Sequence, residues 1–171
     1  DEALKTACER VFSDITTRKM SVTGGVGAEH DGEKFSYAYD LPNSDTYNET
    51  CASIALALFG NAMQELVVDS RYGDAVERAL YNGFLAGVSL DGDKFFYTNP
   101  LEIDCKKYER STYQPICERV KVFDCSCCPP NLVRMLASIP RYMYTVDGSV
   151  IYCNQFAESE TNFKINDKEA V

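Results

Sequence analysis

In DCSCCPPN, residues 124–131, three cysteines fall within four positions, and the adjacent pair Cys127 and Cys128 is followed by Pro129 and Pro130. Proline is tolerated in the first turn of a helix, where the backbone N–H lacks a partner in any case, so the double proline marks a helix start. Cys127 and Cys128 then sit where unpaired N–H groups and the helix dipole favour negative charge. That setting lowers a thiol's pKa and promotes thiolate, the form that attacks electrophiles and binds metal. Glu49 and Cys51 of NETC fall in the first turn of another expected helix. One carboxylate and three thiolates from two helix starts would supply a tetrahedral zinc site. In the plainer alternative, Cys51 packs as a small apolar side chain and Glu49 only complements its own helix dipole.

The eight cysteines leave more than one chemistry open. An even count suits a disulfide framework. Yet Cys8, Cys51, Cys105, Cys117 and Cys153 are scattered while Cys125, Cys127 and Cys128 are bunched. Vicinal cysteines rarely reach disulfide geometry with each other, and bunched thiols are more typical of a metal or redox site. Metal binding, disulfides and inert core thiols all stay possible on pattern alone. Tyr37, Tyr39 and Tyr47 suit either sugar stacking or a core, and His30, flanked by Glu29 and Asp31, reads as a solvated loop residue. GGVG at 24–27 lacks the strand–turn–helix context of a nucleotide site and reads as a loop needing unusual backbone angles.

The elements that must position these groups are mainly helical. Ala3, Leu4, Ala7, Val11 and Ile15 recur at helical spacing, predicting an amphipathic helix over 2–18. Residues 21–48 are rich in Gly, Asp, Asn and Tyr and read as a long functional loop. A second helix is expected from about Asp45 to Leu66, capped by Asp45 or Ser44, with Ile54, Leu58, Phe59, Ala62 and Leu66 on its apolar face. A third is expected over 71–88, short strands after the Asp91–Gly92 turn and at 119–123, and a fourth helix from Pro129 that Pro140 kinks or ends. SVIYCNQF alternates like a strand.

With 171 residues and 45% hydrophobic content the chain can bury a substantial core. Its net charge of −9 repels nucleic acid and anionic membrane surfaces, so neither is an expected partner. No apolar run reaches the roughly 20 residues of a membrane span, and residues 1–20 lack a signal peptide's basic start and apolar middle. A cytoplasmic location is the expectation, with a periplasmic or secreted parent left open. The chain opens inside a helical pattern, so its natural N-terminus is expected upstream.

Three stretches carry a resemblance: GGVGAEHDGEKFSYAYDLPNSDTYNETCAS, SRYGDAVERALYNGFLAGVSLDGDKFFYTNPLE and FDCSCCPPNLVRMLASI. Over most of residues 1–156 the chain resembles the family 127 glycoside hydrolases, the β-L-arabinofuranosidases, and the related family 146. The resemblance implies a partial (α/α)6 barrel over 1–147 and the beginning of a β-sandwich domain over 148–171. It implies Zn2+ held by Glu49, Cys51, Cys127 and Cys128, with Cys127 also the nucleophile, Glu33 the general acid/base and Tyr97 a substrate-site tyrosine. Cys125 matches no ligand and is expected to be structural. Family members often carry tryptophan where this chain has Val122, and this chain has no tryptophan. A carbohydrate, specifically a β-L-arabinofuranoside, is the implied partner. As a glutamic acid that must protonate a leaving group, Glu33 would need a raised pKa, expected from partial burial among Phe35, Tyr37 and Tyr39. Full enzymes of this kind are several-fold longer, so this chain is expected to expose apolar helix faces, with self-association as a homo-oligomer left open. A non-catalytic structural zinc module is the competing reading.

Overall fold

The computed structural model describes residues 1–106, 117–122, 124–165 and, as backbone, 168–170. Among the described residues, five α-helices and two short antiparallel hairpins make it mainly helical. Helix α1 (Glu2–Asp14) starts on Asp1, whose carboxylate accepts from the N–H groups of Ala3 and Leu4. It loosens into a wide turn over Ile15–Lys19, where Thr16 and Thr17 hydroxyls donate to the carbonyls of Phe12 and Ser13 and compete with the helical ladder. Phe12 is the residue α1 buries, edge-on to Phe59 at 5.4 Å and Tyr72 at 4.8 Å. Leu4 and Val11, assigned to its apolar face, lie exposed.

Helix α2 (Thr50–Leu66) begins five residues later than expected, and neither Ser44 nor Asp45 caps it. Tertiary contacts hold residues 46–49 out of the helix. Tyr47 and Asn48 N–H groups donate to the carbonyls of Ala28 and Gly27, Asn48 takes a left-handed φ of 42°, and Glu49 pairs with Thr98. The buried face of α2 is also rotated from the expected one. Ser53, Ile54, Leu56, Ala57, Gly60, Met63 and Gln64 point inward, while Leu58 and Leu66 lie exposed. Gly60 permits the close approach of α3 (Ser70–Arg78), because a Cβ there would meet Val76 Cγ2 at 2.8 Å.

The third helical stretch starts on Asp69, which accepts from Arg71 N–H, but is regular only to Arg78. It continues as a wide turn over Ala79–Phe84, which contains the weak helix formers Asn82 and Gly83, and as a tight turn over Leu85–Gly87. The expected strands reduce to single bridges, Val88–Phe95, Phe95–Val120 and Glu49–Thr98; Phe123 lies outside the described residues. Helix α4 (Cys128–Ser138) has both prolines in its first turn, and Pro140 opens a separate short helix α5 (Pro140–Met143). Strands β1 (Tyr144–Asp147) and β2 (Val150–Cys153) form one hairpin, and β3 (Phe163–Ile165) and β4 (Lys168–Ala170) another.

The main core joins Phe12, Ile54, Leu56, Met63, Tyr72, Val76, Phe84, Leu132 and Met135, so α1 to α4 share one apolar centre. Val133 and Leu136 on α4 join Leu4, Val11, Leu58 and Leu66 among the exposed apolar side chains, in line with the expected uncovered helix faces. No described helix is long and apolar enough to cross a membrane.

Candidate metal and catalytic centre

Packing α2 against α4 through their shared core sets the two helix starts side by side. One ligand atom each from Glu49, Cys51, Cys127 and Cys128 then lies within 4.8 Å of every other. Cys51 and Cys128 sulfurs are 3.5 Å apart, Cys127 and Cys128 sulfurs 3.7 Å, and Glu49 Oε1 lies 3.4 Å from Cys127 and 3.6 Å from Cys128. A tetrahedral zinc with sulfur at about 2.3 Å and oxygen at about 2.0 Å has S–S edges of about 3.8 Å and S–O edges of about 3.5 Å. The four side chains therefore fit such an ion in spacing as well as in donor type. Glu49 and Cys128 are buried, and Cys51 and Cys127 half-buried.

None of these four thiol and carboxylate residues is tied up elsewhere by a disulfide. Cys51, Cys125, Cys127 and Cys128 are all free thiols, whereas Cys105 and Cys117 are joined by a disulfide, a pairing the sequence pattern did not single out. Cys125 packs against the apolar wall formed by Tyr47, Tyr97 and Cys128 and is not among the four converging ligands.

The protonation pattern reverses the expectation for Cys127 and Cys128. Burial pushes the Cys127 thiol up to about 12. Cys128 is also raised, first by its hydrogen bond with Cys51 and then by burial. Cys51 is lowered, because Cys128 and then Asn131 hydrogen-bond its sulfur. Burial at Cys127, and the hydrogen bond with Cys51 followed by burial at Cys128, thus outweigh the helix dipole at α4's first turn, while Cys51 is shifted toward thiolate. Three thiolates and a carboxylate this close need a cation to neutralise them, which is the chemistry of a metal site.

Asn131 was not among the residues singled out from the sequence. It lies one helical turn beyond Cys128, on the same face, and its Nδ2 donates to Cys51 Sγ at 3.1 Å. Arg134 Nη1 in turn donates to Asn131 Oδ1 at 3.0 Å, fixing the amide's orientation. The one-turn spacing was the available signal.

Tyr97 is buried with its hydroxyl oxygen 3.3 Å from Cys127 Sγ. Burial first, then the contact with Cys127, raises its pKa. Glu33 is placed differently from expectation. It is exposed, and Phe35, Tyr37 and Tyr39 do not enclose it, since all three are exposed themselves. Its partner is the buried Tyr47, whose hydroxyl donates to Glu33 Oε1 at 2.9 Å. Of the three candidate tyrosines, Tyr47 alone is core. His30 is half-buried with its ring edge-to-face against Tyr47 at 4.6 Å, rather than solvated.

The mainly helical scaffold that carries this cluster is shared with a class of glycoside hydrolases. The family model for the β-L-arabinofuranosidase GH127 catalytic domain matches residues 1–141. This chain belongs to that family. It is 40% identical over 166 residues to the non-reducing end β-L-arabinofuranosidase of Bifidobacterium longum subsp. longum, covering 95% of this chain and 25% of that protein. Among solved structures, the GH127 β-L-arabinofuranosidase of Geobacillus stearothermophilus T6 superposes with a TM-score of 0.93 at 45% identity, covering 99% of this chain and 27% of that one. A second GH127 β-arabinofuranosidase gives 0.86 at 38% identity, covering 96% and 24%. The chain thus spans about a quarter of the length of these relatives.

Proposed function

We propose that this chain carries the metal and the reacting groups of a retaining β-L-arabinofuranosidase, within an (α/α)6 barrel and with residues 148–171 opening a β-sandwich domain. The observation that carries the reading is the convergence of Glu49, Cys51, Cys127 and Cys128 on one ion-sized space, with Tyr97 against Cys127. Glu49, Cys51, Cys127 and Cys128 would hold Zn2+. When bound, the metal keeps its cysteine ligands deprotonated at neutral pH.

In most retaining glycosidases two carboxyl groups share the work as nucleophile and acid/base. Here Cys127 takes the nucleophile's part. Its sulfur attacks the anomeric carbon as the glycosidic C–O bond breaks, and Glu33 gives its proton to the departing oxygen. Glu33, now a carboxylate, takes a proton from water. The water oxygen attacks the same carbon, the C–S bond breaks, and the thiolate and arabinose are restored with retained configuration. Tyr97 is placed to donate to the Cys127 sulfur as negative charge returns to it.

The test uses the whole protein and an aryl β-L-arabinofuranoside. Cys127→Ser should abolish turnover, Glu33→Gln should lower kcat by removing the base that activates water while largely sparing departure of the aryl group, Cys125→Ser should retain activity, and a slow substrate should leave a sugar-mass adduct on Cys127. Because the cluster also clamps α2 to α4, a purely structural metal site is the second reading. It predicts that Cys127→Ser lowers metal content and stability in a protein with no arabinofuranosidase activity to lose.

A further inference from the structure

The loop bearing Glu33 gives this side chain little support of its own. Glu33 follows Gly32 at the tip of a turn closed by Glu29 N–H donating to the Lys34 carbonyl at 3.2 Å. Its φ is left-handed at 48° and the residue is exposed. A glutamate with three rotatable bonds in solvent samples several rotamers, whereas a general acid must sit within hydrogen-bond reach of one oxygen. Its side-chain hydrogen bond comes from inside the protein, at Oε1 from Tyr47.

Tyr47 is built to stay still. It is 3% exposed, and its backbone N–H donates to the Ala28 carbonyl at 3.0 Å, at the neck of the same loop. His30 packs edge-to-face on its ring, and the Tyr97 ring lies on another side with centroids 6.1 Å apart. Tyr97 in turn reaches Cys127 at 3.3 Å. Two packed tyrosines therefore link the carboxylate to the thiol, and the first of them has no part in the chemistry described above.

We propose that Tyr47 is the positioning residue of the acid/base, selecting the one Glu33 rotamer in which Oε1 is occupied by the phenol and Oε2 carries the catalytic proton. This rests on the reading of Glu33 as acid/base. The phenol serves both half-reactions. It donates to Oε1 of the carboxylate and equally to Oε1 of the acid protonated at Oε2, so it need not move as the proton leaves and returns. A buried ring with two side-chain torsions cannot follow a swinging carboxylate and so confines it.

Leaving-group dependence tests this in the whole, zinc-loaded protein. Departure of methanol needs protonation by Glu33, whereas 4-nitrophenolate leaves with little help. Tyr47→Phe keeps the ring and removes only the donor. On methyl β-L-arabinofuranoside its kcat/KM should fall about 10- to 100-fold, mostly in kcat, and on the 4-nitrophenyl arabinoside less than about threefold. Glu33→Gln, measured alongside, should sort the two substrates the same way and more steeply. If Glu33→Gln discriminates between them but Tyr47→Phe lowers both equally or neither, the positioning role is overturned and the acid/base reading stands. If Glu33→Gln itself does not discriminate, the acid/base reading fails and takes the positioning role with it. Loss of zinc together with both activities in Tyr47→Phe would make Tyr47 a packing residue and likewise overturn the proposal.

Discussion

Loading zinc into the cluster should expel protons, and its affinity should climb steeply with pH. Cys127 is pushed up to about 12 by burial and Cys128 is raised as well, so at pH 7 both are thiols and only Cys51 is shifted toward thiolate. At least two protons must leave when the sulfurs become ligands. Below its pKa, each competing proton costs one decade of apparent affinity per pH unit, so two of them predict about a 100-fold tightening per unit between roughly pH 6 and 8. The metal-free protein should show the opposite trend at higher pH. Unfolded thiols ionise near 9.0 while folded Cys127 keeps its proton to about 12. Its contribution to stability is therefore whole below about pH 9 and is lost as the pH rises through about 12. Chelator competition at pH 6, 7 and 8 gives the slope, and titration calorimetry in two buffers of different ionisation enthalpy counts the protons. An affinity flat across this range, or a proton count of zero, would refute the reasoning, because the sulfurs would then be already ionised or not ligands.

Other perturbations probe the supports of the site. Asn131→Ala removes the donor 3.1 Å from Cys51 Sγ and should weaken zinc binding about tenfold, read by the same chelator competition. Leu132→Ala empties a side chain that is 1% exposed beneath the Cys127–Cys128 turn and should lower stability by about 2–5 kcal/mol in urea unfolding. Gly24→Ala puts a Cβ 2.7 Å from Ala79 N at a φ of +86°, and should cost about 1–3 kcal/mol or more, seen as a lower thermal midpoint. A variant that melts with the parent would show that the Gly24 backbone can relax.

The helix start at Cys128 was legible in the sequence because its determinant, prolines in a first turn, is local, and the third helix, expected from 71, starts one residue earlier at Ser70, where the Asp69 carboxylate caps it. The start of α2 was not legible. Asp45 and Ser44 are good caps in isolation, but residues 46–49 bond instead to Gly27, Ala28 and the 97–99 segment, none of them near in sequence. The same distant contacts bury Tyr47 and expose Tyr37 and Tyr39, three residues alike in type.

Residue types, read with the family's motifs, picked out Glu49, Cys51, Cys127 and Cys128 as the groups that could hold a metal, and the prolines after Cys128 marked one of the two helix starts. Only the tertiary structure decided that they meet, which thiols are raised and which is lowered, and that Glu33 is held by Tyr47 rather than by its own neighbours. Distance and desolvation depend on which surfaces pack together, and that is a property of the whole chain, set here by α2 lying against α4.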